Sequence, residues 1–230
     1  TGTFSTAAGT KGITFDGGTF TITGSGATAF NNAVPTGFTT TKGTGNGVIS
    51  MTSATAKTFV GNSSVYNCAL DLSGAGDITI TGNNSFEQLK FSYGSTANAN
   101  FLIAAGTTQT FTSNVLPSGI ASNKLLGIKS ATANSGASLA YTGTGNIISD
   151  YIIAQDMSFL NGASWSADGT KPWIWYLGSN SINGGNNLGV VFSDNDGNTA
   201  PIVYLITSGT SFTIPSNWWS ANNTVHLYLS

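Results

Sequence analysis

GDITITGNNSFEQLKF, residues 76–91, is the stretch of this chain that decides the fold. Ile78 and Ile80 alternate with threonines, which is the period-2 pattern of a β-strand. The next residues, Gly82 to Ser85, are turn formers, and Gly and Asn among them tolerate positive φ. Apolar residues then return and predict a second short strand that ends at Phe91. We expect this unit of strand, corner and strand to recur, in looser form, up to residue 192 as one coil of an elongated β-structure.

The composition indicates a folded chain whose solubility depends on hydroxyl and amide groups rather than on ions. Thr, Ser, Asn and Gly make up 114 of the 230 residues, and only 7% of the residues are charged. Hydrophobic residues nevertheless reach 40% and aromatic residues 11%, whereas disordered chains are poor in aromatic and β-branched residues. Because the chain starts at Thr1 rather than Met, we expect a processed product or a piece of a longer protein.

Charge and cysteine content argue against several functional classes. The net charge is −2, and all seven basic residues are lysines scattered along the chain, whereas a nucleic-acid surface needs clustered cations. The single cysteine, Cys68, excludes an intrachain disulfide, and it alternates with apolar residues, which is typical of a small buried side chain. No apolar run approaches the roughly 20 residues that span a membrane. We therefore predict neither nucleic-acid binding nor membrane insertion.

Short strand candidates follow one another along the chain, and no segment keeps apolar residues at helical spacing over several turns. Further strands are predicted at 58–60, 65–72, 100–104, 108–112, 125–129, 138–141, 147–153 and 190–192. The fold class is therefore all-β, either a right-handed parallel β-helix (a solenoid) or a β-sandwich built from hairpins. Stacked coils place like residues about 4.8 Å apart. Asn and Thr tolerate this spacing because they both donate and accept hydrogen bonds, whereas like charges repel, so the low charge favours the β-helix.

Two internal echoes also favour the β-helix. TFTITGSGATAF (residues 19–30) resembles DITITGNNSF (residues 77–86), with Ile22 aligned to Ile80, 58 positions later. Residues 45–56 resemble residues 122–133, and both segments contain the letters SATA. Because the two echoes are displaced by different numbers of residues, we infer a repeat that is shorter than either displacement and varies in length. We expect coils of roughly 20–25 residues with insertions. About eight such coils in residues 1–192 would form a shaft roughly 40 Å long.

The chain changes character after Phe192. Residues 193–198, SDNDGN, are polar and turn-rich, and we interpret them as a linker between a solenoid domain, residues 1–192, and a small C-terminal β-element, residues 199–230. Asp194 to Asn198 carries oxygen ligands at alternate positions, like the start of a calcium loop, but no acidic residue follows to close it. We therefore predict a turn there, and no metal or other cofactor.

Carboxylates and the single histidine are the candidates for catalysis. Glycosidases use two carboxylates about 5–10 Å apart, and Asp150 and Asp156 would approach each other if they lay on neighbouring coils. His226 would need a serine and an acid beside it to form a triad, but it alternates with Val225 and Leu227, which predicts a solvent-facing position in a terminal strand. We therefore predict that the protein is not an enzyme and has no catalytic residues.

Aromatic residues cluster late in the chain, at Trp165, Trp173, Trp175, Tyr176, Trp218 and Trp219. Such rings would fill the wider end of the β core, form a subunit interface, or stack on the sugar rings of a glycan. All three alternatives stay open at this point. The candidate contacts with a subunit or a glycan are Trp173, Trp175, Tyr176, Trp218 and Trp219.

Several phrases of the sequence resemble a repetitive β-module of bacteriophage tail and fibre proteins that also occurs in bacterial surface proteins. The first phrase runs from Lys57 to Leu89 and includes most of the opening stretch. The second is DYIIAQD (residues 150–156), and the third is WYLGSNS (residues 175–181) followed by GNNLGVVF (residues 185–192). Where the module has a tryptophan after the last glycine, this chain has Val190. The C-terminal segment, residues 207–230, resembles the start of glycine-rich tail-fibre domains.

This resemblance implies a β-helical structural protein of a virion or a cell surface. We predict a non-enzymatic component of a phage tail fibre or spike, located in the virion, that serves as a shaft or receptor-binding scaffold. A bacterial extracellular adhesin or filament subunit at the cell surface is the first alternative, and a polysaccharide depolymerase is the second. The expected partners are other virion proteins, a host surface glycan and further copies of the chain, because the open ends of a β-helix expose unpaired edges that a trimer or a stacked assembly would cover.

Overall fold

The structure is a computed structural model that describes residues 4–5, 11–23, 26–32, 38–91, 99–113, 119, 121–143, 145–161, 175–192, 202–206 and 225–229. The regular structure in these residues is entirely β, with 22 strands and no helix. In chain order the strands are β1 (Phe4–Ser5), β2 (Lys11–Phe15), β3 (Thr19–Ile22), β4 (Thr28–Asn31), β5 (Phe38–Lys42), β6 (Val48–Met51), β7 (Lys57–Val60), β8 (Val65–Asp71), β9 (Ile78–Thr81), β10 (Asn84–Lys90), β11 (Ala99–Ile103), β12 (Thr108–Phe111), β13 (Leu126–Ser130), β14 (Ala137–Tyr141), β15 (Ile147–Ile148), β16 (Ile152–Gln155), β17 (Met157–Asn161), β18 (Trp175–Tyr176), β19 (Ile182–Asn183), β20 (Val190–Val191), β21 (Ile202–Ile206) and β22 (Val225–Leu229).

Two long parallel sheets dominate the fold. The first has eight strands in the order β1-β4-β7-β9-β11-β13-β16-β19, and the second has seven in the order β3-β6-β8-β10-β12-β14-β17. Smaller sheets join β2 to β5, β15 to β18 and β20, and β21 to β22. From β6 to β14 the chain visits the two long sheets alternately, and within each sheet the strands follow chain order. The architecture is thus all-β with long parallel sheets, which is compatible with a solenoid.

The strand register sets the length of chain between stacked positions. In the two long sheets the separation ranges from 19 residues, between Leu70 and Leu89, to 30 residues, between Thr28 and Thr58. The expected 20–25 residues with insertions covers part of this range. Every named strand pairs in parallel, and the antiparallel contact between described residues is the isolated bridge from Ala121 to Lys124. The hairpins of the β-sandwich alternative are therefore absent from the described strands.

Apolar side chains stack from strand to strand inside the sheets. Phe30 and Phe59 are register partners whose rings lie parallel with centroids 4.2 Å apart. In the seven-stranded sheet, Phe86 stacks on Tyr66 at 5.0 Å and on Phe111 at 5.8 Å. All five rings are at most 1% exposed. Alternation along each strand delivers one such side chain to each level, and the parallel register places it over the one below.

The opening stretch forms the predicted unit with one correction. Strand β9 ends at Thr81, Gly82 turns with φ +81°, and the chain enters the second long sheet. Asn84 was predicted to be a turn residue, but it begins strand β10 and is 1% exposed. The corner is therefore two residues long, Gly82 and Asn83, because Asn84 finds hydrogen-bond partners inside the protein.

Two other sequence interpretations differ from the structure. The predicted strand 147–153 is two strands, β15 and β16, separated by a bend at Tyr151 with φ +56°. The echoes align strands of different sheets: Ile22 lies in the seven-stranded sheet and Ile80 in the eight-stranded sheet, and the same exchange separates Met51 from Ile128. Strands of both sheets have similar alternating sequences. The echoes therefore reflect this shared strand pattern and not the repeat by which one coil stacks on the next.

The C-terminal strands pair only with each other among the named sheets. Strand β21 runs parallel to β22, with Ile202 opposite Val225 and Ile206 opposite Leu229. Residues 193–198, the predicted linker, lie outside the described residues, as does most of the predicted C-terminal β-element. The division into residues 1–192 and 199–230 therefore stays a prediction.

Candidate functional site

Two of the predicted aromatic contacts, Trp175 and Tyr176, form strand β18 and are only 1% and 2% exposed. The Trp175 ring centroid lies 5.1 Å from that of Phe159, and its Nε1–H donates to the Leu160 carbonyl at 3.2 Å. Both side chains therefore occupy the core, which is one of the three alternatives left open by the sequence. The other candidates lie outside the described residues: Trp165, Trp173, Trp218 and Trp219. Their role as contacts stays a prediction.

The structure does not bring Asp150 and Asp156 together. They flank opposite ends of one strand, β16, instead of facing each other from neighbouring coils. The strand alone spans about 10 Å, which is the upper end of the separation between paired glycosidase carboxylates, and both aspartates lie beyond its ends. The sequence could not indicate this arrangement, because it depends on where the strand begins and ends.

Each of the two carboxylates holds a turn of a neighbouring segment. Asp150 accepts hydrogen bonds from the backbone N–H and the side-chain amide of Asn180, at 3.1 and 2.7 Å. Asp156 is 3% exposed and accepts from the backbone N–H of Asn134 at 3.1 Å and from the Asn186 amide at 2.8 Å. Both aspartates thus supply acceptors to backbone and amide donors that the turns leave unsatisfied.

The remaining residues that the sequence analysis considered for chemistry are Cys68, His226 and Asp194–Asn198. Cys68 is fully buried in the core, and burial, with a smaller contribution from the Glu87 charge, raises the pKa of its thiol to about 12. A reactive cysteine needs a lowered pKa, so Cys68 has the properties of a small apolar side chain. His226 lies in β22 opposite Val203. Asp194–Asn198 lies outside the described residues.

A buried polar network that the sequence analysis missed runs along one corner of the sheets. We call it the corner network and define it by Asn32, Ser64, Tyr66, Asn84 and Gln109. The Asn32 amide donates to Ser64 Oγ at 2.8 Å and to Tyr66 Oη at 3.2 Å. The Ser64 N–H donates to Asn84 Oδ1 at 3.3 Å, and the Asn84 amide donates to Gln109 Oε1 at 2.9 Å. Asn32 and Gln109 are fully buried, so the network satisfies polar groups that water does not reach.

A sequence pattern accompanies this network. Three of its members stand two residues before an aromatic core residue, in Ser64-Val-Tyr, Asn84-Ser-Phe and Gln109-Thr-Phe. Strand alternation places both the polar residue and the aromatic residue on the inner face. The recurring polar residue at an inner position is the signal that could have predicted the network.

The corners between the two long sheets share a left-handed backbone. Positive φ recurs where the chain passes from the eight-stranded to the seven-stranded sheet, at Asn62, Ser63, Gly82, Gly106, Asn134 and Asp156. Gly, Asn and Asp are the residues that adopt this conformation at least cost. The Gly and Asn residues at these corners therefore have a conformational role.

The outer side of the seven-stranded sheet carries a lattice of small hydroxyl side chains. We call it the hydroxyl face and define it by Ser85, Thr110, Thr108, Ser138 and Ser158. Ser85 pairs with Thr110, and Thr108, Ser138 and Ser158 are successive register partners. All five are half-buried, and their inner neighbours belong to the core. The row of register partners that contains Ser85 and Thr110 ends in an exposed apolar residue on each side. These residues are Val65, which is 64% exposed, and Leu160, which is 43% exposed.

Ionisable groups are sparse throughout the described part of the chain. The ion pair found there joins Lys42 Nζ to Glu87 Oε1 at 2.9 Å. Within the same residues, no three His, Cys, Asp or Glu side chains come together in a way that would hold a metal ion. In this described part of the chain, no helix has the length and apolarity needed to cross a membrane.

No protein-family model matches this chain, and no curated protein or solved structure is significantly similar to it. The resemblance to the phage β-module therefore rests on the phrases quoted above and remains a prediction.

Proposed function

We propose that this protein is a non-enzymatic structural component of a phage tail fibre or spike, built as a right-handed parallel β-helix. The observation that carries the proposal is the pair of long parallel sheets, which the chain visits alternately between β6 and β14. Eight strands about 4.8 Å apart extend over roughly 34 Å. An elongated, evenly stacked body of this kind serves to space or display other parts of an assembly.

The use of the polar residues supports a scaffold rather than an active site. Asp150, Asp156 and the corner network all make hydrogen bonds between neighbouring turns. An active site needs groups that are aimed at a substrate and left free to react. A shaft needs turn-to-turn bonds without accumulated charge, and this is the role that the described polar residues have.

A high-resolution structure of the full chain in its native assembly tests the fold that the proposal assumes. We expect the two long sheets to close into one right-handed coil around the aromatic core. Two sheets that remain open, or a left-handed connection, would contradict the β-helix. Genomic neighbours test the virion assignment separately: tail and baseplate genes support it, and secretion genes favour the bacterial adhesin or filament subunit.

Further copies of the chain are the proposed partners, because β19 ends the eight-stranded sheet and pairs with no other described strand on its outer edge. At the end of the eight-stranded sheet, β19 carries Ile182 with 49% of its surface exposed. Light scattering of the purified chain should report a trimer or a larger stacked assembly. A monomer of 23.5 kDa at every concentration would remove the oligomer from the proposal.

Binding to a host surface glycan is the second candidate function, and the hydroxyl face is the observation that favours it. The face is uncharged and presents hydroxyl groups in a regular array, which suits a neutral glycan more than a charged partner. A glycan array probed with the chain tests this candidate. Ser138→Lys on the face should abolish any binding, and Thr79→Lys on the other long sheet should leave it intact.

The polysaccharide depolymerase alternative is tested by incubating the chain with host capsular polysaccharide and measuring new reducing ends. We expect none, because Asp150 and Asp156 flank opposite ends of β16. Cleavage that Asp150→Asn or Asp156→Asn removes, while the variant remains folded, would establish an enzyme and replace the present proposal.

A further inference from the structure

Asn-Gly dipeptides occur three times in the sequence, at Asn46-Gly47, Asn161-Gly162 and Asn183-Gly184. In such a pair the backbone nitrogen of glycine readily attacks the asparagine side chain, because no Cβ obstructs its approach. The glycine nitrogen bonds to Cγ and loses its proton, and the amide nitrogen takes up a proton and leaves as ammonia. Water then opens the resulting succinimide at either carbonyl and produces aspartate or isoaspartate. Gly162 lies outside the described residues, whereas both residues of the other two pairs are described.

The reacting groups of Asn46 and Gly47 make no hydrogen bond to the described residues, although Gly47 is buried against Phe15. Asn46 lies between β5 and β6, and its side chain is exposed. Among the hydrogen bonds of the described residues, none involves the Asn46 side chain or the Gly47 N–H. The amide carbon and the attacking nitrogen can therefore approach each other without breaking an internal hydrogen bond.

The corresponding groups of Asn183 and Gly184 are restrained, although the Asn183 side chain is equally exposed. The Gly184 N–H donates to the Ala154 carbonyl at 2.8 Å, which engages the attacking nitrogen. Asn183 Oδ1 accepts from the Gly185 N–H at 3.0 Å and from the Asn187 amide at 2.8 Å, which fixes the group under attack. The bond from the Gly184 N–H must break before its nitrogen can attack, and the two bonds to Oδ1 hold the side chain in its present orientation.

We propose that Asn46 is a site of spontaneous deamidation in the native protein, and that hydrogen bonding protects Asn183 in the same dipeptide. The reaction needs only water as co-reactant. The two asparagine side chains are both exposed and both precede a glycine, although Gly47 is buried and Gly184 is exposed. We therefore assign the difference in reactivity to the hydrogen bonds of the Asn183 pair.

Packing explains why a reactive dipeptide persists at this corner. A Cβ at position 47 would overlap the ring of Phe15, and a Cβ at Gly45 would lie 2.6 Å from the backbone nitrogen of Gly17. The corner that contains Asn46 therefore packs closely on the corner at residues 16–18. Glycine at position 47 is required by this contact, and the lability of Asn46 is its consequence.

Deamidation at this position changes the electrostatics of the corner. The Asp16 carboxylate accepts hydrogen bonds from the N–H groups of Thr44 at 2.9 Å and Gly45 at 3.3 Å. A second carboxylate at position 46 would stand beside it and change the net charge from −2 to −3. Isoaspartate would in addition lengthen the backbone by one atom within a close contact. Both products therefore weaken the packing of this corner on the one below it.

The test is ageing of the purified full chain in mildly alkaline buffer, followed by peptide mapping with mass spectrometry that distinguishes aspartate from isoaspartate. The product at Asn46 should accumulate at least ~10-fold faster than the product at Asn183, a barrier difference of about 1.4 kcal/mol. Equal rates, a faster reaction at Asn183, or an inert Asn46 would each overturn the proposal.

Two controls assign the difference to the folded structure. In denaturant the two dipeptides should react at similar rates, because the hydrogen bonds that restrain Asn183 are lost. The exposed Asn46→Gln variant should fold like the original chain and lose the fast-forming product. A rate difference that persists unchanged in denaturant would show that local sequence is its cause, and would refute the protective role of the hydrogen bonds.

Discussion

Asn84 shows, at the scale of one residue, how a polar side chain is accommodated between two parallel sheets. Its Oδ1 accepts from the Ser64 N–H, and its amide donates to Thr81 O, Gly82 O and Gln109 Oε1. The Thr81 carbonyl also accepts from the Gly61 N–H, and the Gly82 carbonyl also accepts from Gln109 Nε2. The Ser64 N–H and Gln109 Oε1 therefore depend most on Asn84.

Asn84→Ala should destabilise the protein by about 2–3 kcal/mol, because it leaves a buried donor and a buried acceptor unsatisfied. The neighbouring Asn83→Ala is the matched control. Asn83 is exposed, and water can replace its Oδ1 as acceptor for the Thr108 N–H, so we expect a loss below ~1 kcal/mol. Urea unfolding measures both, and equal losses would contradict the role of the corner network.

Gly82→Ala tests the corner that follows the first strand of the opening stretch. Gly82 has φ +81°, and a Cβ there would lie 2.6 Å from the Ser63 backbone nitrogen. Gly106 has φ +72° in a later corner, with nothing within 4 Å of a Cβ. Gly106→Ala should cost about 1–2 kcal/mol for the left-handed backbone alone, and Gly82→Ala should cost roughly 1–3 kcal/mol more for the overlap. Thermal unfolding that ranks the two variants equally would show that the corners do not pack as described.

At the scale of strands, the register of the parallel ladders determines which side chains meet. Thr58 of β7 pairs with Thr79 of β9, and both are half-buried on the outer side of the eight-stranded sheet. The same register stacks Phe59 on Ile80 on the inner side. Uncharged polar residues therefore face each other at this point of the outer row, which continues through Leu102 to Lys129.

A double-mutant cycle at Thr58 and Thr79 measures the cost of charge in such a row. Thr58→Glu with Thr79→Glu should be less stable than the sum of the single variants by about 0.5–1 kcal/mol, because like charges are adjacent. Thr58→Lys with Thr79→Glu should show a coupling of opposite sign. Both couplings should shrink in high salt. Additive behaviour at low salt would mean that the two positions are not register partners.

At the scale of the whole molecule, the buried thiol and phenol make stability depend on alkaline pH. Burial raises the pKa of Cys68 from 9.0 to about 12, and burial raises that of Tyr66 from 10.0 to about 12, against opposing hydrogen bonds from Asn32 and Ser64. Above pH 9 the unfolded chain loses these protons and the folded chain retains them. The folded state then binds more protons, so the free energy of unfolding decreases as pH rises.

Urea unfolding between neutral pH and pH 11 should therefore show a stability plateau below about pH 9 and a decline above it. Cys68→Ala serves as the control, since it removes one of the two groups and should make the decline shallower whatever its effect at neutral pH. A flat profile, or one that rises with pH, would contradict the burial of these side chains.

The opening stretch shows which parts of the fold were readable from sequence. Alternating isoleucines and threonines correctly predicted β9, and Gly82 correctly predicted the corner, because strand alternation and positive φ are local properties. Asn84 was assigned to the turn because asparagine favours turns when only its neighbours are considered. Its partners Ser64 and Gln109 are 20 and 25 residues away, and no local rule anticipates them.

The candidate site follows the same division. Composition and alternation by themselves determined that this chain is all-β, weakly charged and rich in corner residues, because each of these properties resides in single residues and short windows. Only the tertiary structure decided that Trp175 and Tyr176 are core residues, that Asp150 and Asp156 flank one strand, and that Asn46 is free where Asn183 is restrained. These outcomes depend on which strands stack on one another, and stacking joins residues that lie 15 to 30 positions apart.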